Sequence, residues 1–209
     1  MPLNPSFKYI LPPGLEMKKI ILLSILISIL IIFLAGCTKA NTDFSEKALQ
    51  QSVDTQEGPK PVAAGLQKGQ MPPGFEITTI DNELIKLSSF AENKKPVLLY
   101  FFASWCPYCA QDFSVLKTLY DGYAADVPIV AIDLDLGEDA LLIAKYKTKY
   151  PGLEKVMFAA GKESILEDYN IIHTTTKYAI GRDGTVLYSG SGTFNEEQWK
   201  ILLNALKNS

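Results

Sequence analysis

Apolar and polar residues alternate in two short segments of the chain. The segments FEITTI (75–80) and LIKL (84–87) flank the tripeptide DNE (81–83), whose residue types favour turns. The run PVLLYFFA (96–103) that follows is continuously apolar and rich in β-branched and aromatic residues. The first pattern predicts a β-hairpin, and the second predicts a central strand that is buried on both faces.

A helical pattern follows this strand. Phe113, Leu116 and Tyr120 recur three or four residues apart, which places them on one face of a helix. Cys106 and Cys109 lie between the strand and this helical pattern. The predicted order is therefore strand, cysteine turn, helix.

Strand and helix patterns continue to alternate through the rest of the chain. The last segment, NEEQWKILLNALK (195–207), predicts an amphipathic helix with Asn195 as its N-cap. This alternation predicts an α/β fold with a mixed central sheet flanked by helices. The other predicted strands are 127–135, 155–160 and the two arms of 176–190, and the other predicted helices are 137–150 and 162–170.

The N-terminal part contains a long apolar run. In MKKIILLSILISILIIFLAGC (17–37), two lysines precede an apolar stretch that ends in small residues and a cysteine, which is the pattern of a secretion signal. The quartet LAGC (34–37) resembles a bacterial lipobox, and this resemblance implies a lipid on Cys37. An uncleaved transmembrane anchor and an ordinary signal peptide are the alternatives. Each of the three places the folded domain outside the cytoplasm.

The chain divides into four segments. Residues 1–16 fit no part of the signal, so we expect them to be an upstream extension and Met17 to be the true start. Residues 17–36 form the expected signal peptide. Residues 37–71 lack a sustained apolar period and have the composition of a flexible tether. One folded domain is expected at 72–209.

The composition fits one globular domain joined to non-globular sequence. The 209 residues are 47% hydrophobic and 21% charged, and the formal net charge is −3. From Pro72 onward the chain has 13 basic and 18 acidic residues. Because nucleic-acid binding requires positive charge, we expect no nucleic-acid partner.

The Cys-Pro-Tyr-Cys motif (106–109) has three candidate roles: a redox pair, an inert disulfide and a set of metal ligands. A disulfide across so small a loop would stabilise the fold only slightly. A zinc site normally takes four Cys or His ligands, and with Cys37 acylated only His173 could join the pair. We therefore expect no metal in a single chain, whereas two chains that share a metal or cluster stay an alternative.

The most specific part of the sequence is FFASWCPYC (101–109), preceded by PPGFEITTIDNELIKLSSF (72–90). With the order of elements, these segments make residues 72–207 similar to the TlpA/ResA-like branch of the thioredoxin family. The resemblance implies a thioredoxin fold with an N-terminal β-hairpin and a βα insertion. It also implies thiol-disulfide oxidoreductase activity with no cofactor beyond a redox-active disulfide between Cys106 and Cys109.

A cysteine at the start of a helix is well placed as a nucleophile. The Cys106 sulfur would face unpaired backbone N–H groups and the positive end of the helix dipole, both of which favour the thiolate. Pro107 suits the first helical position because it has no N–H to leave unpaired. We therefore expect Cys106 to attack a target disulfide and Cys109 to resolve the mixed disulfide.

Asp112 is the third candidate catalytic residue. It lies three residues after Cys109 and is therefore its neighbour on a helix. ResA-type proteins carry Glu at the matching position, so the resemblance implies that Asp112 tunes the thiols and handles protons. A solvated surface acid near a helix start is the alternative. Tyr100 stands where cytoplasmic thioredoxins have a buried Asp, so that proton relay is expected to be absent.

The segment HTTTKYAI (173–180) departs from the family pattern. Thr175 stands where the thioredoxin fold normally has a cis-proline that faces the cysteine pair. The bond between Thr174 and Thr175 is then trans, or cis at a cost of about 3 kcal/mol, and a hydroxyl is expected near the sulfurs. This departure weakens the case for ordinary substrate binding and strengthens that for metal or cluster binding. A neutral replacement in a variable loop is the alternative.

The cysteine turn and the threonine loop supply the candidate substrate contacts. Tyr108 is expected to be exposed, whereas Trp105 and Phe102 are expected to pack beside the cysteines as core residues. The acidic stretch DLDLGED (133–139) lacks the spacing of a calcium loop and predicts a solvated strand end. The candidate substrate contacts are Trp105, Pro107, Tyr108, Thr174 and Thr175.

These features predict a membrane-tethered, extracytoplasmic thiol-disulfide oxidoreductase. The resemblance implies reduction of disulfides in specific exported proteins, with apocytochrome c among the candidates and a membrane dithiol carrier as electron donor. A thiol oxidant and a dimer that binds metal or a cluster through the same cysteines are the alternatives. A peroxiredoxin is not expected, because Ala103 replaces the Thr that its peroxidatic cysteine needs three residues earlier.

Overall fold

The computed structural model describes residues 62–209, so the predictions for the signal peptide, Cys37 and most of the tether lie outside the described residues. Helices and strands alternate, and none of the helices in this part of the chain is long and apolar enough to cross a membrane. The strands are β1 (Glu76–Thr78), β2 (Leu84–Lys86), β3 (Val97–Phe102), β4 (Ile129–Asp133), β5 (Met157–Ala159), β6 (Thr176–Ile180) and β7 (Val186–Gly190). The α-helices are α1 (Leu87–Glu92), α2 (Pro107–Leu119), α3 (Ala140–Lys147), α4 (Glu163–Asp168) and α5 (Glu196–Lys207), and a 3-10 helix covers Tyr120–Gly122.

Five strands form the central sheet in the order β5-β4-β3-β6-β7. Strands β3, β4 and β5 are parallel, and β6 and β7 complete the sheet in antiparallel pairing. The hairpin of β1 and β2 forms a separate antiparallel pair. The mixed sheet with an N-terminal hairpin confirms the predicted fold class.

Strand β3 lies at the middle of the sheet, and all six of its residues are buried. Tyr100 and Phe102 point to the face covered by α2 and α5, where they pack with Trp199 and its neighbours. Leu99 and Phe101 belong to the core on the opposite face. Because both faces are covered, β3 needs no polar positions, which explains its continuous apolar sequence.

Two elements differ from the sequence prediction. The segment predicted as the second hairpin strand ends at Lys86 and passes directly into α1, which begins at the buried Leu87. Helix α3 is shorter than the predicted range of 137–150. The Asp139 side chain accepts a hydrogen bond from the Leu142 backbone N–H, so this aspartate caps the helix and sets its start.

The start of α5 is fixed by a capping box, which confirms Asn195 as the N-cap. The Asn195 side chain accepts from the backbone N–H of Gln198, and the Gln198 side chain accepts from the backbone N–H of Asn195. The cap holds the first turn of α5 against the sheet, and this turn contains the fully buried Trp199.

Candidate active site

The cysteine turn lies at the carboxyl end of β3, where α2 begins. Cys106 is the N-cap of α2, and Pro107 occupies the first helical position. The Cys106 sulfur accepts a hydrogen bond from the backbone N–H of Cys109 at 3.2 Å. Both thiols are buried and unlinked. The helix thus directs an N–H group that lacks an intrahelical partner at the Cys106 sulfur.

The two cysteines have opposite pKa shifts. Burial alone would raise the pKa of the Cys106 thiol, but hydrogen bonds with Cys109, Thr174 and backbone N–H groups outweigh burial and lower it. Burial, followed by the hydrogen bond with Cys106, raises the pKa of Cys109 to about 12. Cys106 is therefore the better thiolate, and Cys109 is held as a protonated thiol.

The sequence predicts a hydroxyl near the sulfurs because Thr175 stands at the cis-proline position. In the structure, the hydroxyl beside the cysteines belongs to Thr174. Thr174 Oγ1 lies 3.2 Å from Cys106 Sγ. Thr175 Oγ1 instead accepts a hydrogen bond from the Gly192 N–H and donates one to its neighbour's carbonyl oxygen. The bond between the two threonines is trans, and Thr175 has a φ of 60°, which is unusual for a β-branched residue.

Asp112 is fully buried behind the cysteines, so the alternative of a surface acid is wrong. Its Oδ2 accepts hydrogen bonds from the Tyr100 hydroxyl at 2.9 Å and from Lys177 Nζ at 3.0 Å. Its Oδ1 accepts from the Phe194 N–H at 2.8 Å and from Trp199 Nε1 at 3.3 Å. Four donors surround the carboxyl group, an arrangement that satisfies its ionised form.

Tyr100 connects Asp112 with the resolving cysteine. Tyr100 lowers the pKa of the Cys109 thiol, against the larger effect of burial. Burial, followed by the charge of Asp112, raises the pKa of Tyr100 itself well above its usual value. A buried acid therefore does stand behind the cysteines, although helix α2 supplies it and position 100 does not.

Lys177 is a site residue that the sequence analysis missed. Its side chain is fully buried, and besides Asp112 it bonds the carbonyl oxygens of Thr175 at 2.9 Å and Gly192 at 2.6 Å. The ammonium group also lies 4.5 Å from the centre of the Phe194 ring. A charged residue inside an apolar strand segment was the signal that could have revealed it.

The loop after β4 holds the cysteine turn from the other side. Ser104 donates to the Glu138 carboxylate from both its backbone N–H and its hydroxyl. Trp105 Nε1 donates to Asp135 Oδ2 at 2.8 Å, and the Trp105 side chain is 63% exposed. The prediction that Trp105 belongs to the core is therefore wrong, whereas Phe102 is buried as predicted.

The exposed residues of the turn surround Cys106. Trp105, Pro107 and Tyr108 are all exposed, and Thr174 is partly exposed, so four of the five candidate substrate contacts lie at the surface beside the nucleophile. Thr175 is buried below them. Within 62–209 no three Cys, His, Asp or Glu side chains are grouped to hold a metal ion.

Asp133 departs from the prediction of a solvated strand end, because its side chain is fully buried. Its Oδ1 accepts from the Asp135 N–H at 2.8 Å, and its Oδ2 has no hydrogen-bond donor among the described residues. Burial, followed by the nearby Glu138 carboxylate, raises the pKa of Asp133 to about 8. A protonated Asp133 can donate to Glu138, which gives Oδ2 a partner.

We expect Asp133→Asn to reduce the pH dependence of stability. An acid whose pKa rises on folding stabilises the fold fully below its unfolded pKa of about 4 and loses this contribution as the pH rises through about 8. The stability of the native chain should therefore fall relative to that of the variant by about 4 kcal/mol between pH 5 and 9, most of it between pH 5 and 8. Urea unfolding at several pH values measures this difference. The exposed Asp121→Asn is the control, and parallel curves for the native chain and Asp133→Asn would refute the assignment.

Comparison with known proteins places this geometry in a family. A sequence model of the AhpC/TSA family matches residues 68–189, which is more than half of the chain. The chain belongs to the AhpC/TSA family. The matched range contains the cysteine turn, Asp112 and Lys177, whereas Gly192, Phe194 and Trp199, which also contact Asp112 or Lys177, follow it in the chain.

Within the AhpC/TSA family, the chain is similar to two thioredoxin-like proteins of Bacillus species. The chain is 29% identical to the thioredoxin-like protein YneN of Bacillus subtilis over 186 residues, which cover 86% of this chain and 97% of that protein. It is also 29% identical to the thiol-disulfide oxidoreductase ResA of Bacillus thuringiensis over 144 residues, which cover 68% and 79%. These similarities confirm the predicted relation to ResA-type proteins.

A solved structure supports the same conclusion. The crystal structure of a thiol:disulfide interchange protein DsbE from Chlorobium tepidum matches with a TM-score of 0.59 at 25% identity, over 68% of this chain and 99% of that one. This match confirms the thioredoxin fold. With the named relatives, it supports the predicted enzyme class, and the protein is a thiol-disulfide oxidoreductase of the ResA/DsbE type.

Proposed function

We propose that the protein is a membrane-tethered, extracytoplasmic reductase of disulfides in exported proteins, with Cys106 and Cys109 as its redox pair. The observation that carries this proposal is the difference between the two thiols. The pKa of Cys106 is lowered at a helix start, while the pKa of Cys109 is raised to about 12 one turn deeper. Such a pair suits nucleophilic attack followed by resolution.

In the first step, the Cys106 thiolate attacks one sulfur of the target disulfide. The target S–S bond breaks, its second sulfur leaves as a thiolate and takes up a proton, and a mixed disulfide with Cys106 forms. Cys109 then loses its proton and attacks the Cys106 sulfur. The target leaves with two thiols, and the enzyme holds the Cys106-Cys109 disulfide, so two electrons have moved to the target.

Asp112 would act on the second step through Tyr100. Among the described residues no hydrogen bond joins Asp112 to either sulfur, but the Tyr100 hydroxyl donates to Asp112 and influences Cys109. The carboxylate therefore sets the orientation of the Tyr100 hydroxyl. The role proposed for Asp112 is to hold the environment in which Cys109 loses its proton.

The target would bind across the exposed residues of the cysteine turn. Trp105 is fixed at its indole by Asp135, and Tyr108 is 59% exposed, so both present aromatic surface on either side of Cys106. An extended polypeptide with apolar residues beside its disulfide fits such a surface. Apocytochrome c is a candidate substrate because its haem-binding cysteines need to be reduced before haem attachment. A membrane dithiol carrier would return the enzyme to its reduced form.

This substrate proposal is tested with the reduced chain and an oxidised peptide that carries the Cys-x-x-Cys-His motif of apocytochrome c. Free thiols on the peptide and loss of thiols on the enzyme would be counted after rapid acid quenching. We expect two peptide thiols for each enzyme disulfide formed, and faster reaction than with a peptide whose residues beside the cysteines are all Asp or Gly. Equal rates for the two peptides would argue against recognition by the aromatic surface.

The tether is tested by Cys37→Ala in cells. The lipobox pattern implies that the native chain carries a lipid on Cys37, and two or more acyl chains are enough to hold a protein firmly on a membrane. We expect the native chain to be found in the membrane fraction. We expect the variant to differ from it in molecular mass and to carry no lipid label. Incorporation of a labelled fatty acid, followed by fractionation, measures both. Equal labelling of the two chains would contradict the proposal.

A further inference from the structure

A fully buried lysine stands beside the redox pair. Lys177 is on β6, has no exposed side-chain surface and donates three hydrogen bonds, to Asp112 Oδ2 and to the carbonyl oxygens of Thr175 and Gly192. Burial of a charged group is costly unless every donor has an acceptor, and here all three ammonium protons are used. The arrangement therefore suits the charged form of the lysine.

The three acceptors lie on three different parts of the fold. Asp112 is on α2, the helix that carries both cysteines; Thr175 ends the loop that contacts Cys106; and Gly192 follows β7. The lysine thus joins the helix of the nucleophile to the loop opposite to it. An apolar residue at position 177 could fill the space, but it could make none of these contacts.

The lysine charge also reaches the resolving thiol. Burial lowers the pKa of Lys177 and outweighs the opposite effects of Asp112 and, once it forms, of the Cys109 thiolate. Because the interaction of two charges is mutual, the ammonium group favours the thiolate form of Cys109. Removal of the ammonium would leave the Asp112 carboxylate unbalanced near Cys109 and would oppose formation of that thiolate.

We propose that Lys177 is a positioning residue for the resolving step, which balances the charge of Asp112 and stabilises the Cys109 thiolate as it forms. In this step the Cys109 proton passes to solvent, the Cys109 sulfur bonds to Cys106, and the bond between Cys106 and the target breaks. The target thiolate that leaves takes up a proton. The inference rests on the proposed roles of the two cysteines.

The test separates attack from resolution with a small aromatic disulfide whose released thiolate absorbs visible light. The first equivalent released reports attack by Cys106, and the second reports resolution by Cys109. For Lys177→Gln, which keeps a hydrogen-bond donor and removes the charge, we expect the pH midpoint of the second phase to rise by about one unit. We expect that phase to slow by about tenfold at pH 7, while the first phase changes less than threefold.

A charge-balanced variant distinguishes electrostatics from packing. In Lys177→Met with Asp112→Asn both charges are absent, so the pH midpoint of resolution should lie below that of Lys177→Gln, because no unbalanced carboxylate then opposes the Cys109 thiolate. This double variant is also the reserve if the single variants fail to fold. Lys155→Met, which removes an exposed lysine on another part of the surface, should change neither phase.

Different results would contradict the roles of the two cysteines and the role of Lys177. If neither phase occurs in the native chain, the proposed roles of the cysteines are wrong. If both phases occur and the pH midpoint of resolution is the same in the native chain, Lys177→Gln and the double variant, the inference about Lys177 is wrong. Equal slowing of both phases with no change in the pH midpoint would show a structural role alone and would also overturn it.

Discussion

Cys106→Ser is expected to reduce the rate of disulfide reduction by at least about 1,000-fold, because a serine hydroxyl has almost no alkoxide at neutral pH. Cys109→Ser is expected to leave the attack by Cys106 intact and to stop the reaction at the mixed disulfide. The difference follows from the structure, since only Cys106 is the helix N-cap and contacts the partly exposed Thr174. The rate of thiol release and the mass of the non-reduced product measure the two results.

Addition of a reductant gives the control for this prediction. The mixed disulfide formed by Cys109→Ser should disappear after reduction and should be absent from the variant that lacks both cysteines. If Cys106→Ser formed the stable adduct and Cys109→Ser did not, the assignment of nucleophile and resolving thiol would have to be reversed. The shift of the Cys109 pKa to about 12 makes that outcome unexpected.

Asp112→Ala is expected to lower the free energy of unfolding by about 3–5 kcal/mol. The substitution leaves the fully buried Lys177 without its carboxylate, and it also removes the acceptor of the Tyr100 hydroxyl, the Phe194 N–H and the Trp199 indole N–H. Burial of an uncompensated charge is the larger part of this cost. Urea unfolding of the reduced chain measures the change.

Asp126→Ala is the matched control for the loss of an ion pair. Asp126 pairs with Lys207 at 2.7 Å, but both side chains are more than two fifths exposed, so this loss should cost far less than the loss of the buried pair. Adding Lys177→Met to Asp112→Ala should recover part of the lost stability, because no charge is then left unpaired. Similar small costs for Asp112→Ala and Asp126→Ala would show that the buried pair contributes no more than a surface pair.

The elements that sequence could predict are those set by local patterns. The continuous apolar run of β3, the turn residues of the β1-β2 hairpin and the Asn195 cap each depend on residues a few positions apart. The start of α2 was also predictable, because Pro107 and a preceding cysteine suit a helix N-terminus. These features were enough to place the nucleophile and its helix.

The charged interior of the site depends on pairings across the chain. Lys177 and Asp112 are 65 residues apart, and they meet only because β6 lies beside β3 and under α2. Spacing within a helix could show that Asp112 is near Cys109, but it could not show whether that side chain points inward. The burial of Asp133 could not be predicted from local sequence for a similar reason. It depends on the pairing of β4 with β3, in which Asp133 lies opposite Phe102.

The directions of side chains at the surface also could not be predicted from the sequence pattern. An aromatic residue next to a buried strand is usually core, but the turn after β3 points Trp105 outward, where Asp135 binds its indole N–H. In the threonine loop, the positive φ of Thr175 turns its hydroxyl toward Gly192 and leaves Thr174 beside Cys106. Neither outcome could be predicted without the backbone path of the loop.

The equilibrium reduction potential of the Cys106-Cys109 pair tests the proposed reductase most directly. It would be measured on residues 72–209, which contain neither the apolar run of residues 20–34 nor Cys37, equilibrated with defined ratios of reduced and oxidised dithiol, with the metal content of the same sample determined. We predict a potential near or below about −270 mV, the value of thioredoxin, and no stoichiometric metal. A potential near about −120 mV would make the protein an oxidant, and one bound metal or cluster for each pair of chains would favour the metal-binding dimer; either result would contradict the proposed reductase.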